Sequence, residues 1–116
     1  MSDPEYVPDE GDIVWLNFTP QSGHEQAGRR PAVVLSPRIY NARSGLLVCV
    51  PVTNQIKGYP FEVLLGSGGT TGVALSDQVR SLDWIAREAK QKGLASATEI
   101  AEIKAKIKAL LKFAQD

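Results

Sequence analysis

The spacing of hydrophobic and polar positions changes along the chain, and the change predicts strands first and a helix last. Up to Trp84, short apolar stretches rich in Val, Ile, Leu and aromatic residues alternate with clusters of Gly, Pro and Asn. This pattern is typical of closely spaced strands and predicts an antiparallel barrel or sandwich. The predicted strands are Asp12–Phe18, Pro31–Ser36, Leu46–Thr53, Phe61–Leu65, one bent or two short strands within 73–85, and a last strand ending at Gly93.

The C-terminal segment has helical spacing instead. Ser96 followed by Glu99 forms the S-x-x-E pattern of a capping box, immediately before an apolar-periodic segment. The pattern predicts a helix from about Ala97 to about Ala114, and a proline and a glycine bound a second, short helical connection within 37–45. The residues that form the apolar face of the longer helix are Ile100, Ile103, Ile107, Leu110 and Leu111.

Two polar segments are expected to lie outside these elements. Residues 1–11, with Pro4, Pro8 and Gly11, are predicted to be a mobile lead-in, and Thr19–Arg29 a long polar loop. We expect residues 19–28 to be disordered or to adopt alternative conformations without a ligand, because this segment carries two glycines and several polar residues. The 116 residues as a whole are expected to form one domain.

Composition favours a soluble protein over a fibrous, disordered or membrane protein. Hydrophobic residues make up 43% and charged residues 22% of the chain, and no stretch approaches a membrane-spanning length. The N-terminus is acidic and lacks the basic start and apolar run of a signal peptide. We therefore expect a cytoplasmic protein.

The formal net charge of zero conceals an uneven distribution. Residues 1–28 contain six of the 13 acids and no Lys or Arg, so that the rest of the chain carries all 13 basic residues. A positive body of this kind is suited to a polyanion. Lys104, Lys108 and Lys112 are four apart on the predicted helix, where they form a solvated face or a nucleic-acid contact.

The chain contains a single His and a single Cys. One chain therefore cannot assemble a zinc site from the usual nitrogen and sulfur ligands, and we expect metal-independent chemistry unless carboxylates hold a hard cation. Cys49 lies inside the apolar run "LLVCVPV" and is predicted to be a small buried hydrophobe.

Candidate chemistry is densest in "GHEQAGRRP", residues 23–31. By itself this stretch favours a solvated loop between two strands over a catalytic cluster. A second set of polar residues follows two later strands, and strand ends in a small barrel can converge on one rim. The candidates are His24, Glu25, Arg29 and Arg30, together with Thr53, Asn54, Asp77, Gln78 and Arg80.

These residue types match what RNA cleavage by the neighbouring 2′-OH requires. Glu25 or His24 can accept or donate a proton near neutral pH if its surroundings adjust its pKa. Arg30 is suited to stabilising the crowded phosphate first and to donating a proton second, because arginine stays protonated and cannot act as a base. The Thr53 hydroxyl can donate a hydrogen bond to a phosphate oxygen.

The motifs "VPDEGDIVWLNFTP", "GHEQAGRRPAVVLSPRIYN", "VCVPVTNQIKGYPFEV" and "GVALSDQVRSLDWIAR" resemble, in order, the MazF/PemK toxins of bacterial type II toxin–antitoxin systems, with the closest likeness to the MazF branch. The resemblance implies a mainly β fold, an SH3-like small β-barrel of the CcdB/PemK-like kind with a C-terminal helix, and a homodimer. It also implies a metal-independent endoribonuclease without cofactors, which cuts single-stranded mRNA to 2′,3′-cyclic phosphate and 5′-hydroxyl ends and so stops translation.

The resemblance also implies roles for individual residues. In the MazF branch the catalytic positions correspond to Arg30 and Thr53, with Glu25 implicated. The PemK branch uses a histidine and an aspartate that fall on His24 and Asp77, but the arginine that partners this aspartate falls on Leu75. This departure favours Arg30 and Thr53.

Base recognition in the family involves two loops and the groove between subunits. An ACA-containing cut site is expected from the likeness of "QIKGYPFEV" to ACA-cutting members, and a MazE-like antitoxin with an acidic C-terminal segment is the expected inhibitor. The implied RNA-binding residues are Asn17, Gln26, Asn41, Asn54, Gln55, Lys57 and Gln78, with Ile56 and Tyr59 as stacking or packing surfaces and Arg29 and Arg80 as charges near the substrate.

Two other function classes fit the same fold. A CcdB-like toxin poisons DNA gyrase by binding it and needs neither Arg30 nor Thr53. A non-catalytic SH3-like module would serve as a structural or adaptor protein.

Overall fold

The structure, a computed structural model, describes residues 6–18, 28–66 and 69–112. Strands dominate the described residues up to Leu94 and a helix follows them, as the pattern predicts. The elements are β1 (Asp12–Phe18), β2 (Gly28–Val34), α1 (Arg38–Ser44), β3 (Leu46–Thr53), β4 (Glu62–Leu65), β5 (Gly72–Leu75), β6 (Arg80–Asp83), β7 (Lys90–Leu94) and α2 (Ala97–Leu111).

All strand pairs in the described residues are antiparallel, in the order β4-β5-β3-β2-β1-β7, with β6 also paired to β3. On one edge, β3 pairs with β6 through residues 46–49 and then with β5 through Val52 and Thr53. One strand thus belongs to two parts of the sheet, which curls into a half-barrel. The predicted mainly β fold with a C-terminal helix is confirmed.

Alternate side chains along the strands supply a core on each face of the sheet. On one face, which we call the helix face, Ile100 and Ile103 of α2 pack against strand residues such as Ile13 and Val50. Half-buried aromatic residues pack against the opposite face. The buried residues of that face are Val14, Leu16, Ala32, Val34, Leu47, Cys49 and Leu82.

The capping box predicted for α2 is present. Ser96 Oγ accepts a hydrogen bond from the Glu99 N–H at 3.0 Å, and Glu99 Oε1 accepts one from the Ser96 N–H at 2.8 Å. The helix ends at Leu111, before the predicted end near Ala114, because Lys112 adopts the left-handed conformation with a φ of 55°. None of the described helices is both long and apolar enough to cross a membrane.

The second strand begins earlier than the sequence pattern predicts. β2 starts at Gly28, not at Pro31, and its first residues pair with β1 as far as Phe18 opposite Gly28. Pairing with β3 begins only at Ala32. The first part of β2, which contains Pro31, is therefore paired on one edge only, and the missing N–H of a proline is tolerated there.

The described part of the N-terminal segment is held against the sheet, contrary to the prediction of a mobile lead-in. The Gly11 N–H donates to the Val34 carbonyl at 2.9 Å. The Tyr6 hydroxyl donates to Asp12 Oδ2 at 2.8 Å, and its burial, together with this carboxylate, raises the pKa of Tyr6. Residues 1–5 and most of the predicted loop, residues 19–27, lie outside the described residues, and so does the expectation of disorder there.

The packing of α2 on the sheet gives a stability prediction. Ile103 is fully buried, so we expect Ile103→Ala to lower the free energy of unfolding by about 2–5 kcal/mol. Leu110 on the same helix is 55% exposed, and Leu110→Ala should change it by less than about 0.5 kcal/mol. Urea denaturation followed by circular dichroism measures both, and equal losses would contradict the assigned packing.

Candidate active site

A polar groove of about 530 Å³ opens where β3 ends and the connections around it meet. Several residues singled out from the sequence converge here, as expected for strand ends at one rim of a small barrel. Those lining the groove are Arg30, Thr53, Asn54, Gln55, Lys57, Tyr59 and Gln78.

Arg30 and Thr53 lie on neighbouring strands. β2 and β3 pair from Ala32 opposite Pro51 to Val34 opposite Cys49. Arg30 and Thr53 lie just beyond this paired part, and both line the groove. Arg30 is paired with Leu16 of β1 and Thr53 with Val73 of β5, so the backbones on which both groups stand are set by the sheet.

The hydroxyl of Thr53 has a defined hydrogen-bonding state. Thr53 Oγ1 accepts a hydrogen bond from the Gln55 N–H at 3.1 Å. A hydroxyl has one proton to donate as well as lone pairs to accept. Because this contact uses a lone pair, the proton remains for an oxygen atom of a ligand in the groove.

The connection between β3 and β4, residues 54–61, forms one wall of the groove, and we call it the groove loop. Its rings and charges contact each other: the Tyr59 and Phe61 ring centroids are 5.3 Å apart, and Lys57 Nζ lies 6.0 Å from the Tyr59 ring centroid. Glu62 Oε2 and Oε1 accept hydrogen bonds from the N–H groups of Lys57 and Gly58, at 3.1 and 2.9 Å. The loop is therefore tied to the first residue of β4.

Gly72 supports the end of β3 from the side of β5. A Cβ at this position would lie 2.5 Å from the Thr53 carbonyl oxygen and 3.0 Å from Asn54 Oδ1. The residue also has a φ of +106°, which side-chain-bearing residues rarely adopt. Only glycine allows β5 to approach the Thr53 backbone this closely.

Two guanidinium groups flank the Phe18 ring at the end of β1. The Cζ atoms of Arg80 and Arg87 lie 5.7 and 5.3 Å from its centroid, within the range of cation–π attraction. Arg87 Nη1 also donates to the Asn17 carbonyl at 3.4 Å. Arg80 is a predicted site residue, whereas Phe18 and Arg87 were not identified from the sequence.

Cys49 is buried, as predicted. Burial raises the pKa of its thiol to about 12, although Arg80 and Arg87 act in the opposite direction. A thiol in this state is not a nucleophile near neutral pH. Among the described residues, no group of three or more His, Cys, Asp or Glu side chains is placed to hold a metal ion.

Asn41 does not join the groove, although sequence resemblance suggested that it contacts RNA. Its side chain is fully buried, and its Nδ2 donates to the Pro8 and Ser36 carbonyls at 2.8 and 3.1 Å. The Ser36 hydroxyl donates to Asn41 Oδ1 at 2.6 Å, and Trp84 Nε1 donates to its backbone carbonyl at 2.9 Å. These partners make Asn41 a residue of the core.

Other predicted residues lie elsewhere. Asn17 and Arg29 are paired across β1 and β2, one residue out of phase with Arg30, so they project to the other side of the sheet. Ile56 and Asp77 are exposed and are not among the groove-lining residues. His24, Glu25 and Gln26 lie outside the described residues.

The groove also contains residues that were not identified as site residues. They are Pro51 and Val52 of β3, Phe61 of the groove loop, Glu62 at the start of β4 and Leu75 at the end of β5. Glu62 follows the motif "KGYPF", and nothing in the sequence indicates that its carboxylate accepts hydrogen bonds from main-chain N–H groups. Leu75 puts an apolar side chain at the position where the PemK pattern has an arginine.

A family model and several known proteins match this chain. The model described as PemK-like, MazF-like toxin of type II toxin-antitoxin system matches residues 9–111. The "Endoribonuclease toxin MazF" of Escherichia coli K12 is 56% identical over 106 residues, which are 91% of this chain and 96% of that protein. The "Endoribonuclease toxin ChpB" of the same strain is 37% identical, over 89% of this chain and 93% of that protein.

Solved structures agree with this match. A chain in the crystal structure of MazE-MazF (Form-II) from Deinococcus radiodurans superposes with a TM-score of 0.90 and is 55% identical, covering 95% of this chain and 100% of that one. The crystal structure of MazF (Form-I) from the same organism gives a TM-score of 0.85 at 55% identity, covering 94% and 100%.

The close approach of Gly72 to Thr53 can be tested with a pair of glycines. Gly69 also has a positive φ, of +80°, but nothing lies within 4 Å of a Cβ added there. We expect Gly69→Ala to cost about 1–2 kcal/mol of unfolding free energy for the left-handed backbone alone. Gly72→Ala should cost about 1–3 kcal/mol more, because its methyl group must displace the Thr53 carbonyl. Equal costs in thermal or urea unfolding would contradict this account.

Proposed function

The chain belongs to the PemK-like, MazF-like toxins of type II toxin–antitoxin systems and is an endoribonuclease, and we propose that its groove cuts single-stranded RNA without a metal ion. The observation that carries the proposal is the placement of Arg30 and Thr53 on one groove, on adjacent strands of the sheet. Their chemistry, a permanent cation beside a hydroxyl donor, suits a phosphate group.

In the proposed reaction the 2′-oxygen of a ribose attacks the adjacent phosphorus, and the bond from phosphorus to the 5′-oxygen breaks. The 2′-OH proton passes to a base and the 5′-oxygen receives a proton from an acid. The products are a 2′,3′-cyclic phosphate and a 5′-hydroxyl. Arg30 stabilises the charge that develops on the phosphate oxygens, and Thr53 donates its hydroxyl proton in a hydrogen bond to one of them.

Glu25 and His24 are proposed to carry out the two proton transfers, because a carboxylate and an imidazole can do so near neutral pH. Asp77, which the PemK pattern would use, is exposed, and Leu75 cannot supply the arginine partner of that pattern. We therefore assign no step to Asp77.

Recognition of the bases is proposed to fall to the groove loop and its surroundings. Asn54, Gln55, Lys57 and Gln78 bring amide and ammonium groups to the groove, and Tyr59 brings a ring on which a base can stack. An unpaired strand exposes the base edges that such groups can read. An ACA-containing sequence is the proposed site, with Arg80 and Gln26 as further contacts to the strand.

The proposed assembly is a cytoplasmic homodimer inhibited by a MazE-like antitoxin. The 55% identical structure from Deinococcus radiodurans is one of MazE-MazF, which supports an antitoxin of that class. A segment rich in acids would complement Arg30 and Lys57 in the groove and would fold as it binds.

The function is tested on a long single-stranded RNA and its all-DNA analogue, each incubated with the purified protein in EDTA. We expect cleavage of the RNA alone, with cyclic-phosphate ends, because DNA lacks the attacking 2′-OH. Mass spectrometry of the fragments identifies the ends. Intact RNA together with inhibition of DNA gyrase would refute the proposal in favour of a CcdB-like toxin.

The roles of Arg30 and Thr53 predict the effect of two substitutions. Arg30→Ala and Thr53→Ala should each lower kcat by about 100-fold or more, as loss of a transition-state donor does. Arg43→Ala is the matched control, since Arg43 is an exposed arginine of α1 outside the groove, and it should cut at the wild-type rate. Circular dichroism and gel filtration check that each variant stays folded. Near wild-type cutting by Arg30→Ala would refute its assignment.

A further inference from the structure

We propose that Glu62 is a positioning residue whose carboxylate, by binding the main chain of the groove loop, sets the geometry with which that loop reads RNA sequence. The inference rests on the proposed function, because it concerns the same groove.

The contact uses both oxygens of one carboxylate. Glu62 Oε1 accepts the Gly58 N–H at 2.9 Å and Oε2 accepts the Lys57 N–H at 3.1 Å, so two consecutive peptide groups point at the same acid. The Glu62 N–H in turn donates to the Tyr59 carbonyl at 3.1 Å. Hydrogen bonds to an ionised acceptor are stronger than neutral ones, and a pair of them fixes direction as well as distance.

Apart from its contacts to the groove loop, the carboxylate of Glu62 is unfavourable for the proposed activity. Among the described groove-lining residues Glu62 is the one acid, beside the cations Arg30 and Lys57. A negative charge in a groove for a polyanion opposes binding. Both carboxylate oxygens face donors of the groove loop, so the charge serves to order that loop.

The groove loop is held at three places, and Glu62 holds its middle. Thr53 Oγ1 accepts the Gln55 N–H at the start of the loop, and Lys106 Nζ of α2 donates to the Pro60 carbonyl at 2.6 Å near its end. Between them Gly58 turns with a φ of +80°. The peptides that Glu62 binds lie at this turn, between the residues that carry the base-reading side chains.

Arg30 and Thr53 stand on β2 and β3 and not on this turn. Releasing the turn should therefore impair the choice of sequence more than the chemical step. A purely electrostatic role predicts the opposite outcome, in which removing the charge tightens RNA binding and leaves sequence preference unchanged.

Two variants separate these roles. Glu62→Gln keeps the size of the side chain but replaces one acceptor by an NH₂ that faces an N–H. Glu62→Asp keeps the charge but is one methylene shorter, so it cannot reach both peptides. Glu102→Gln is the control for loss of a negative charge, since Glu102 is an exposed residue of α2 outside the groove lining.

The first measurement is amide hydrogen exchange of Lys57 and Gly58 by NMR, without RNA. In both Glu62 variants we expect exchange at least about tenfold faster than in the wild type, with Glu102→Gln unchanged. Unchanged exchange in the Glu62 variants would overturn the proposal. This measurement does not require cleavage, so it tests the contact between Glu62 and the groove loop independently of the proposed function. A wild type that cuts no RNA would refute the proposed function and leave this test of the contact valid.

The second measurement is cleavage of an oligoribonucleotide that contains the site mapped for the wild type, and of its single-base variants. In both Glu62 variants the ratio of kcat/KM between the preferred and altered sites should fall about tenfold, while kcat on the preferred site stays within about threefold. A ratio equal to that of the wild type would overturn the proposal. Unfolding of both variants in thermal melts would also overturn it, because Glu62 would then be needed for the fold itself.

Discussion

The pairing of β3 on both edges is the constraint on which the rest of the structure depends. β2 lies along one edge, and β6 and then β5 share the other, so the sheet bends around the second half of this strand. The bend brings the end of β3 next to the β5–β6 turn and the groove loop. Thr53 is the last residue of the strand, and its position follows from the ladder that forms the core. Among the described strands β3 has the largest number of partner strands, and Thr53 therefore stands on a strongly constrained backbone.

The backbones of β5 and β3 approach each other closely at Thr53, so the geometry there tolerates little change. β5 can reach the end of β3 only because Gly72 has no side chain, and Glu99, which caps α2, also accepts the Gly66 N–H at 2.9 Å beside the β4–β5 connection. The helix that buries the sheet therefore also holds the hairpin that supports Thr53. Stability and site geometry therefore depend on shared contacts. We expect a loss of packing at α2 to shift β4 and β5 and, through them, the end of β3 in the groove.

The parts of the fold that could be predicted are those with a local signal. β1 and β3 have dense β-branched and aromatic runs, and α2 has a capping box before its apolar stripe, so their starts were correct. The start of β2 was missed because its Gly and Arg residues carry no apolar pattern, although pairing with β1 holds them. The roles of Asn41 and Glu62 could not be predicted from the sequence for a similar reason. Asn41 is held by the Pro8 carbonyl, which is distant in the sequence, and Glu62 by main-chain donors that the residue type does not reveal.

The residues proposed for catalysis and those proposed for recognition stand on backbones that are held in different ways. Arg30 and Thr53 belong to paired strands, Arg30 opposite Leu16 and Thr53 opposite Val73. The groups proposed to read bases stand on a loop held by side chains, including one carboxylate and one ammonium. Substitutions in such a loop can change its shape without moving the strands. Because the two parts are separable, we expect the reaction to depend on Arg30 and Thr53, and the sequence that is cut to depend on the loop and the contacts that shape it.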